Sequence, residues 1–236
     1  MKQHSKGLTI FILILSLTTL SVGGFFAYKA YQSKTSIDGG TISENSFYSL
    51  RKNATEYQKE LYQELTSKLK ENPRDDKVVS ELIAQNFVAD FYTWTNKLRF
   101  NDVGGMQYIN KDLDWVYGQA LDTFYNDMRY YKEKGQLEQT LEVVSSKATA
   151  KKDKLILVEQ EDELVTQEDG TVNTITHDVE RTIPVYRVSI SWKYKDSDVL
   201  NVSEFQQKAD IYVTQDEDGL YSIMEVDDGQ IKETTN

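Results

Sequence analysis

The hydrophobic pattern of the chain begins with a long uncharged run at residues 7–28. A helix of this length reaches roughly 33 Å, which is enough to cross the hydrocarbon core of a bilayer. Lysines precede the run, and the longer segment that follows it is acidic. The positive-inside rule therefore predicts a single-pass protein of the cell membrane, with residues 1–6 in the cytoplasm and the C-terminal domain outside the cell.

The competing interpretation of this run is a cleaved signal peptide. Lys2 and Lys6 would form its basic region, residues 8–20 its apolar region and residues 21–23 its small-residue cleavage site. Cleavage would leave a secreted protein. The apolar run continues past that site to Tyr28, however, which favours a full membrane span with an aromatic end.

After a polar linker predicted at residues 29–46, apolar residues recur every three or four positions, which is the period of a helix. An amphipathic helix is predicted at residues 47–72, with the sequence "NATE" at residues 53–56 resembling a capping box and Pro73 ending the helix. A helix that lies on its own domain is favoured over a self-associating coiled coil, because the pattern covers only about three heptads.

Two further helices are predicted. The second begins near Asp75 and Asp76, whose carboxylates suit a helix N-terminus. Its buried residues are predicted to be Val79, Leu82, Ile83, Phe87, Phe91, Trp94 and Leu98. The third covers residues 111–134 and ends at Gly135.

Beyond Gly135 the period changes to that of β-strands. In "TIPVYRVSISWKYKD" (residues 182–196), alternation places one set of side chains in the core: Tyr186, Val188, Ile190, Trp192 and Tyr194. Further strands are predicted at residues 137–145, 155–163, 205–214 and 220–226. Asp-Gly pairs in "QEDGT" (residues 167–171) and "DEDGL" (residues 216–220) favour hairpin turns. No segment between strands suits a crossover helix, so the sheet is predicted to be antiparallel.

The predicted fold class is therefore α+β: an N-terminal transmembrane helix, then helices packed on a curved antiparallel sheet. The extracellular domain is predicted at residues 73–228, with a flexible tail at residues 229–236. This order of elements resembles the NTF2-like cone fold. Together with the single span, it is similar to the VirB8-like scaffold proteins of bacterial conjugation and type IV secretion. The resemblance implies partners among envelope or secretion proteins, and it assigns no active-site residue.

Charge and composition exclude several kinds of chemistry. The net charge is −11, and residues 1–34 contain four lysines and no acid, so the remainder carries −15. Such a surface repels phosphate backbones, and nucleic acid is not expected as a partner. The chain has no cysteine and two histidines, which argues against thiolate metal sites and cysteine nucleophiles. No catalytic residue, cofactor or metal is predicted.

The stretch "NDVGG" at residues 101–105 joins the second and third predicted helices. A turn is the favoured interpretation, because the sequence is not a phosphate-binding motif. The alternative is a pocket or interaction rim around an aromatic-lined cavity, formed by Trp94, Asp102, Gly104, Gly105, Tyr108, Trp115 and Tyr125.

Two classes of function remain open from the sequence. The first is a membrane-anchored extracellular scaffold that contacts other envelope or secretion proteins, with homo-oligomerisation as a further option. The second is a small-ligand binder, or an enzyme, that uses the cavity. The first is favoured, because no catalytic constellation occurs in the sequence.

Overall fold

The computed structural model describes residues 41–44, 47–166 and 172–227. The predicted membrane span at residues 7–28, most of the linker, the "QEDGT" turn and the tail at 229–236 lie outside the described residues. Among the residues that are described, no helix is both long and apolar enough to span a bilayer.

The described chain is an α+β domain, as predicted, with helices on an antiparallel sheet. In chain order its elements are β1 (Thr41–Glu44), β2 (Ser49–Arg51), α1 (Glu56–Lys68), α2 (Asp76–Phe91), α3 (Trp115–Asp122), α4 (Phe124–Glu133), β3 (Val143–Thr166), β4 (Val172–Tyr194), β5 (Lys208–Gln215) and β6 (Tyr221–Asp227). β1 and β2 form a two-stranded sheet, and β3 to β6 form a second sheet in the order β3-β4-β5-β6. Each neighbouring pair in this second sheet is antiparallel.

The predicted helix at residues 47–72 is wrong at its start, because β2 occupies residues 49–51 and α1 begins only at Glu56. The hydroxyl of Thr55 accepts a hydrogen bond from the backbone N–H of Gln58 at 3.2 Å, and the Gln58 side chain accepts one from the N–H of Thr55 at 2.9 Å. The capping box is therefore "TEYQ" and not "NATE", since Thr55 and Gln58 have the required spacing.

α2 begins as predicted, with Asp75 accepting hydrogen bonds from two backbone N–H groups of the first turn at 3.1 and 3.3 Å. It ends at Phe91, so the prediction that Trp94 and Leu98 continue the helix is wrong. Trp94 is still buried, because its backbone N–H donates to the carbonyl of Leu141 at 2.7 Å and draws the chain toward the start of the sheet. Leu98 is exposed.

The third predicted helix, at residues 111–134, is two helices. α3 and α4 meet at Thr123, whose backbone leaves helical geometry with φ −114° and ψ −98°. The Thr123 hydroxyl donates to the carbonyl of Gln119 at 2.7 Å. Such a side-chain bond competes with the helical backbone pattern.

The sheet has fewer and longer strands than predicted. The strands predicted at residues 137–145 and 155–163 are replaced by one strand, β3, preceded by a 3₁₀ turn at Leu137–Gln139. The inner face of β4 carries Val188, Ile190 and Trp192, all buried as predicted. α2 packs across this face and contacts all four strands, while α1 packs on α2. The core lies between α2 and the sheet.

The β3–β4 hairpin is much longer than the sheet to which it belongs. β5 pairs with β4 only from Tyr186 to Ser191, whereas β3 and β4 remain paired from Val143 to Thr166. We call residues 143–154 and 184–194 the root of the hairpin, and residues 155–166 and 172–183 its arm. At about 3.3 Å per residue the arm extends roughly 40 Å.

Candidate functional site

A largely buried network of four charged side chains holds the "NDVGG" loop against α2. Asp90, in the last turn of α2, lies 2.9 Å from Nε of Arg51 and 2.9 Å from Nζ of Lys97. Arg51 also forms two hydrogen bonds to the carboxylate of Asp102, each 3.0 Å long. Because two cations meet two carboxylates, the network is electrically balanced in a region with little access to water.

The network changes the acidity of its members. Burial opposes ionisation of Asp90, but Lys97 and Arg51 outweigh it and lower the pKa of Asp90 to about 2. Burial lowers the pKa of Lys97 to about 8, although the nearby Asp90 opposes this change. Burial also works against the charge of Arg51, yet Asp90 and Asp102 raise its pKa above the ordinary value. The opposite charges thus keep both carboxylates ionised.

The two glycines of the loop are required by close backbone approach. Gly105 has φ +75°, and its N–H donates to Oδ2 of Asp90 at 2.7 Å. A Cβ at Gly104 would lie 2.3 Å from the carbonyl oxygen of Asp90. The N–H of Gly104 donates to the hydroxyl of Tyr125, which itself donates to the carbonyl of Phe91 at 2.6 Å. The loop is a turn that the helices fix in place, as the favoured interpretation predicts.

The structure brings together some of the predicted rim residues and separates others. Asp102, Gly104, Gly105 and Tyr125 belong to the network and the turn described above. Trp94, Tyr108 and Tyr125 are buried, whereas Trp115 is 58% exposed.

Aromatic packing fills the space that the rim was predicted to surround. Trp94 packs on Phe124 with ring centroids 4.9 Å apart, and Tyr108 stacks on Tyr48 at 5.2 Å. These rings are part of the hydrophobic core.

An open depression lies elsewhere, at the end of the sheet near Phe205. It is a groove of about 760 Å³ whose lining residues come from β3, β4 and the segment before β5, among them Trp192, Lys193, Phe205 and Gln206. The indole N–H of Trp192 is buried and interacts with the side chain of Tyr194. Serines and lysines make up much of the rest of the lining.

The arm of the hairpin exposes apolar side chains on both strands. Ile156 is 59% exposed, Val158 61% and Ile175 51%. These residues do not belong to the core, and in the described chain no third strand pairs with either edge of the arm. Pro184, which cannot donate to a ladder, lies in β4 two residues before Tyr186, where pairing with β5 begins.

The formal charge of the hairpin changes sign between the root and the arm, where its packing against the helices also changes. The described arm contains six acidic residues and one arginine, which gives a formal charge of −5. The root contains six basic residues and one acidic residue, which gives +5. Within the arm, Arg181 pairs with both Glu159 and Glu161 at 3.0 Å. One guanidinium does not neutralise two carboxylates, so a negative surface remains.

Sequence reasoning missed Arg51, Asp90 and Lys97. The available signal was Asp90 itself, an acid inside the apolar stretch "NFVADF" of a helix that is buried on most sides. In the described part of the chain, no cluster of three or more His, Asp or Glu side chains could hold a metal ion. No family model, curated protein or solved structure matches the chain.

Proposed function

We propose that this protein is a non-enzymatic interaction module of the bacterial envelope, of the NTF2-like, VirB8-like kind. Residues 7–28 hold it in the membrane, and the domain contacts other envelope or secretion proteins outside the cell. The observation that carries the proposal is the arm of the β3–β4 hairpin, which leaves the sheet and presents exposed Ile156, Val158 and Ile175. Apolar side chains on an unpaired two-stranded ribbon are typical of a surface that another chain covers.

The arrangement of the charged groups supports a binding role over catalysis. The strongest charges in the interior neutralise one another, since Asp90, Asp102, Arg51 and Lys97 are already paired. The "NDVGG" loop, which the sequence predicts as an alternative binding site, is held by these pairs and by Tyr125. An enzyme would need a reactive group that faces an open cavity, and these four face one another.

The test is site-specific photocrosslinking in intact cells. A benzophenone side chain is introduced at Ile175 on the β4 strand of the arm, and at Tyr130 on α4 as a control of similar exposure. We expect discrete adducts with envelope proteins from position 175 and none from position 130. An arm that yields no adduct with any protein, in cells where the protein is present and membrane-bound, would contradict the proposal.

A small-ligand function is the second candidate, and the groove beside Trp192 favours it. Trp192 lines this groove of about 760 Å³, and its indole N–H could donate to the oxygen of a ligand that enters from the groove. Trp192→Phe keeps the ring packing and removes the donor. If a ligand is bound there, extracts of native membranes should stabilise the wild-type chain against heat and leave Trp192→Phe unchanged.

A further inference from the structure

The outer edge of β3 carries main-chain groups that no other described strand uses along the arm. The backbone N–H of Ala150 points to this edge, because it donates to the carboxylate of Glu81 on α2 at 2.8 Å. Main-chain groups alternate along an antiparallel strand, so Lys152, Lys154, Ile156 and Val158 direct theirs to the same side. In the described chain β3 is an end strand of the sheet, and no other strand pairs with this edge. The N–H of Ala150 is bonded to Glu81, and the N–H of Lys154 donates to the carboxylate of its neighbour Asp153 at 2.9 Å, so a second strand would replace these side-chain bonds.

The charges along that edge are arranged so that the strand is complementary to itself in the antiparallel direction. On one face, Lys147 and Lys151 lie before Leu155, while Glu159 and Glu163 lie after it. Each lysine has a glutamate at the same distance on the other side of Leu155. In the described structure no carboxylate lies within ion-pair distance of either lysine.

We propose that two copies of this chain form a homodimer by pairing their β3 edges antiparallel, about a two-fold axis at Leu155. Lys151 then lies opposite Glu159 of the second copy, and Lys147 opposite Glu163. The acidic arm of each copy runs beside the basic root of the other, which removes the repulsion that two parallel arms would have. The contact is isologous, as a two-fold axis requires.

Neighbouring registers are less favourable. A shift of the axis by two residues toward the tip of the arm places Asp153 opposite Glu161, two like charges. A shift by two residues toward the root places Lys151 opposite Leu155 and leaves its charge without a partner in the pair. A shift of the axis by one residue moves the register by two and also keeps the side chains on matching faces, because the side-chain period of a strand is two. Toward the root, such a shift places Lys154 opposite Lys154 of the second copy, and toward the tip it places Asp153 opposite Glu159. Each of these is a pair of like charges, which is destabilising.

The same register covers the exposed apolar residues next to the axis. Ile156 lies opposite Lys154 of the second copy and diagonal to the Ile156 of that copy, a distance that a branched side chain can bridge. The dimer uses only the β3 edge. The β4 edge of the arm stays available to other proteins. The dimer can therefore be absent while the arm still binds a partner protein, and the reverse also holds.

The first test is a charge exchange, measured by sedimentation of the full chain in detergent. One variant carries Lys147→Glu with Lys151→Glu, the other Glu159→Lys with Glu163→Lys. We expect each variant alone to dimerise at least tenfold more weakly than the wild type, and an equimolar mixture to recover wild-type dimerisation, because every pair in the mixed dimer is again opposite in charge. The control, Lys193→Glu with Lys208→Glu, reverses two exposed lysines away from the edge and should dimerise normally.

The second test fixes the register and uses the absence of cysteine from the chain. Residues 151 and 159 of opposite copies would form a non-hydrogen-bonded pair, with Cα atoms about 4.5 Å apart, a separation that a disulfide spans. Under mild oxidation, Lys151→Cys mixed with Glu159→Cys should give a covalent dimer, whereas neither variant should do so alone. A wild-type chain that sediments as a monomer throughout the measured concentration range, or a mixture that fails to recover, overturns the proposal.

Discussion

The root and the arm of the β3–β4 hairpin share their strands and their register, yet they differ in almost everything else. In the root, Ile190 is 3% exposed beneath α2; in the arm, Ile156 is 59% exposed. The root carries a formal charge of +5 and the described arm −5. Strand pairing alone does not specify a buried surface, because the same ladder of hydrogen bonds runs through both halves.

The difference between the halves concerns what holds each one in place. The root is fixed by packing against α2, whereas the described part of the arm is held by the ladder between its own two strands, and an isolated two-stranded ribbon is marginal in water. Substitutions in the root should therefore lower the stability of the fold more than matched substitutions in the arm. Substitutions in the arm should weaken binding to partner proteins more than those in the root.

The largest effect on stability is expected at the charged network around Asp90. Asp90→Ala leaves the buried Lys97 without its counter-charge and Arg51 with Asp102 alone, and it should lower the free energy of unfolding by about 3–5 kcal/mol. Glu161→Ala, an acid of the arm, should change it by less than about 0.5 kcal/mol. Urea denaturation of the chain without its first 34 residues measures both.

A double variant shows whether charge is the cause. Asp90→Asn combined with Lys97→Met should be less destabilised than the sum of the single changes, since no unpaired charge then remains at the Asp90–Lys97 pair. Additive losses would mean that the network stabilises the loop by shape alone.

The next effect compares two isoleucines. Ile190→Ala should lower stability by about 2–5 kcal/mol, because it opens a cavity between α2 and the sheet. Ile156→Ala removes the same atoms from an exposed position and should cost well under about 1 kcal/mol. Similar losses from the two substitutions would show that the arm packs on the domain in solution.

Acid should separate the regions as well. The folded-state pKa of Asp90 is about 2, below the ordinary value of 3.8. Ionised Asp90 therefore stabilises the fold above about pH 4, and this contribution of about 2 kcal/mol is lost as the pH falls from about 4 to 2. Denaturation measured across this range should show a steeper loss for the wild type than for Asp90→Asn. If the stabilities of the wild type and Asp90→Asn fall in parallel as the pH is lowered, the pKa of Asp90 is the same in the folded and unfolded chain, as for a carboxylate exposed to water.

The smallest effect on stability should accompany the largest effect on binding. Val158→Thr keeps the shape and strand propensity of the arm but adds a hydroxyl, and it should change the free energy of unfolding by less than about 0.5 kcal/mol. Crosslinking of the arm to its partners should nevertheless decline. A variant that binds as well as the wild type would assign no role to this side chain.

Local signals in the sequence were enough for the parts of the fold that depend on local chemistry. The Asp75 cap, the buried face of β4 and the turn before β6 were predicted, since each follows from residues close together in the chain. Gly219, in the predicted "DEDGL" turn, has φ +80°. At these points, propensity and tertiary packing favour the same structure.

The features that were not predicted depend on residues that are far apart in the sequence. The break at Thr123 leaves the apolar stripe intact, so hydrophobic periodicity could not reveal it. Arg51 and Asp102 are 51 residues apart in sequence, and nothing local to either residue identifies the other. The length of the arm was missed for a different reason. Its acidic and threonine-rich strands lack the contrast between faces by which a half-buried strand is recognised.

The contact between Tyr48 and Tyr221 joins the beginning of the domain to its last strand. The Tyr48 hydroxyl donates to the carbonyl of Tyr221 at 2.6 Å and accepts from its N–H at 3.1 Å, across a sequence separation of 173 residues. Contacts between such distant residues cannot form until nearly all of the chain has been synthesised. A ribosome that stalls before β6 would therefore leave this contact unformed and the core open at the position of its last strand.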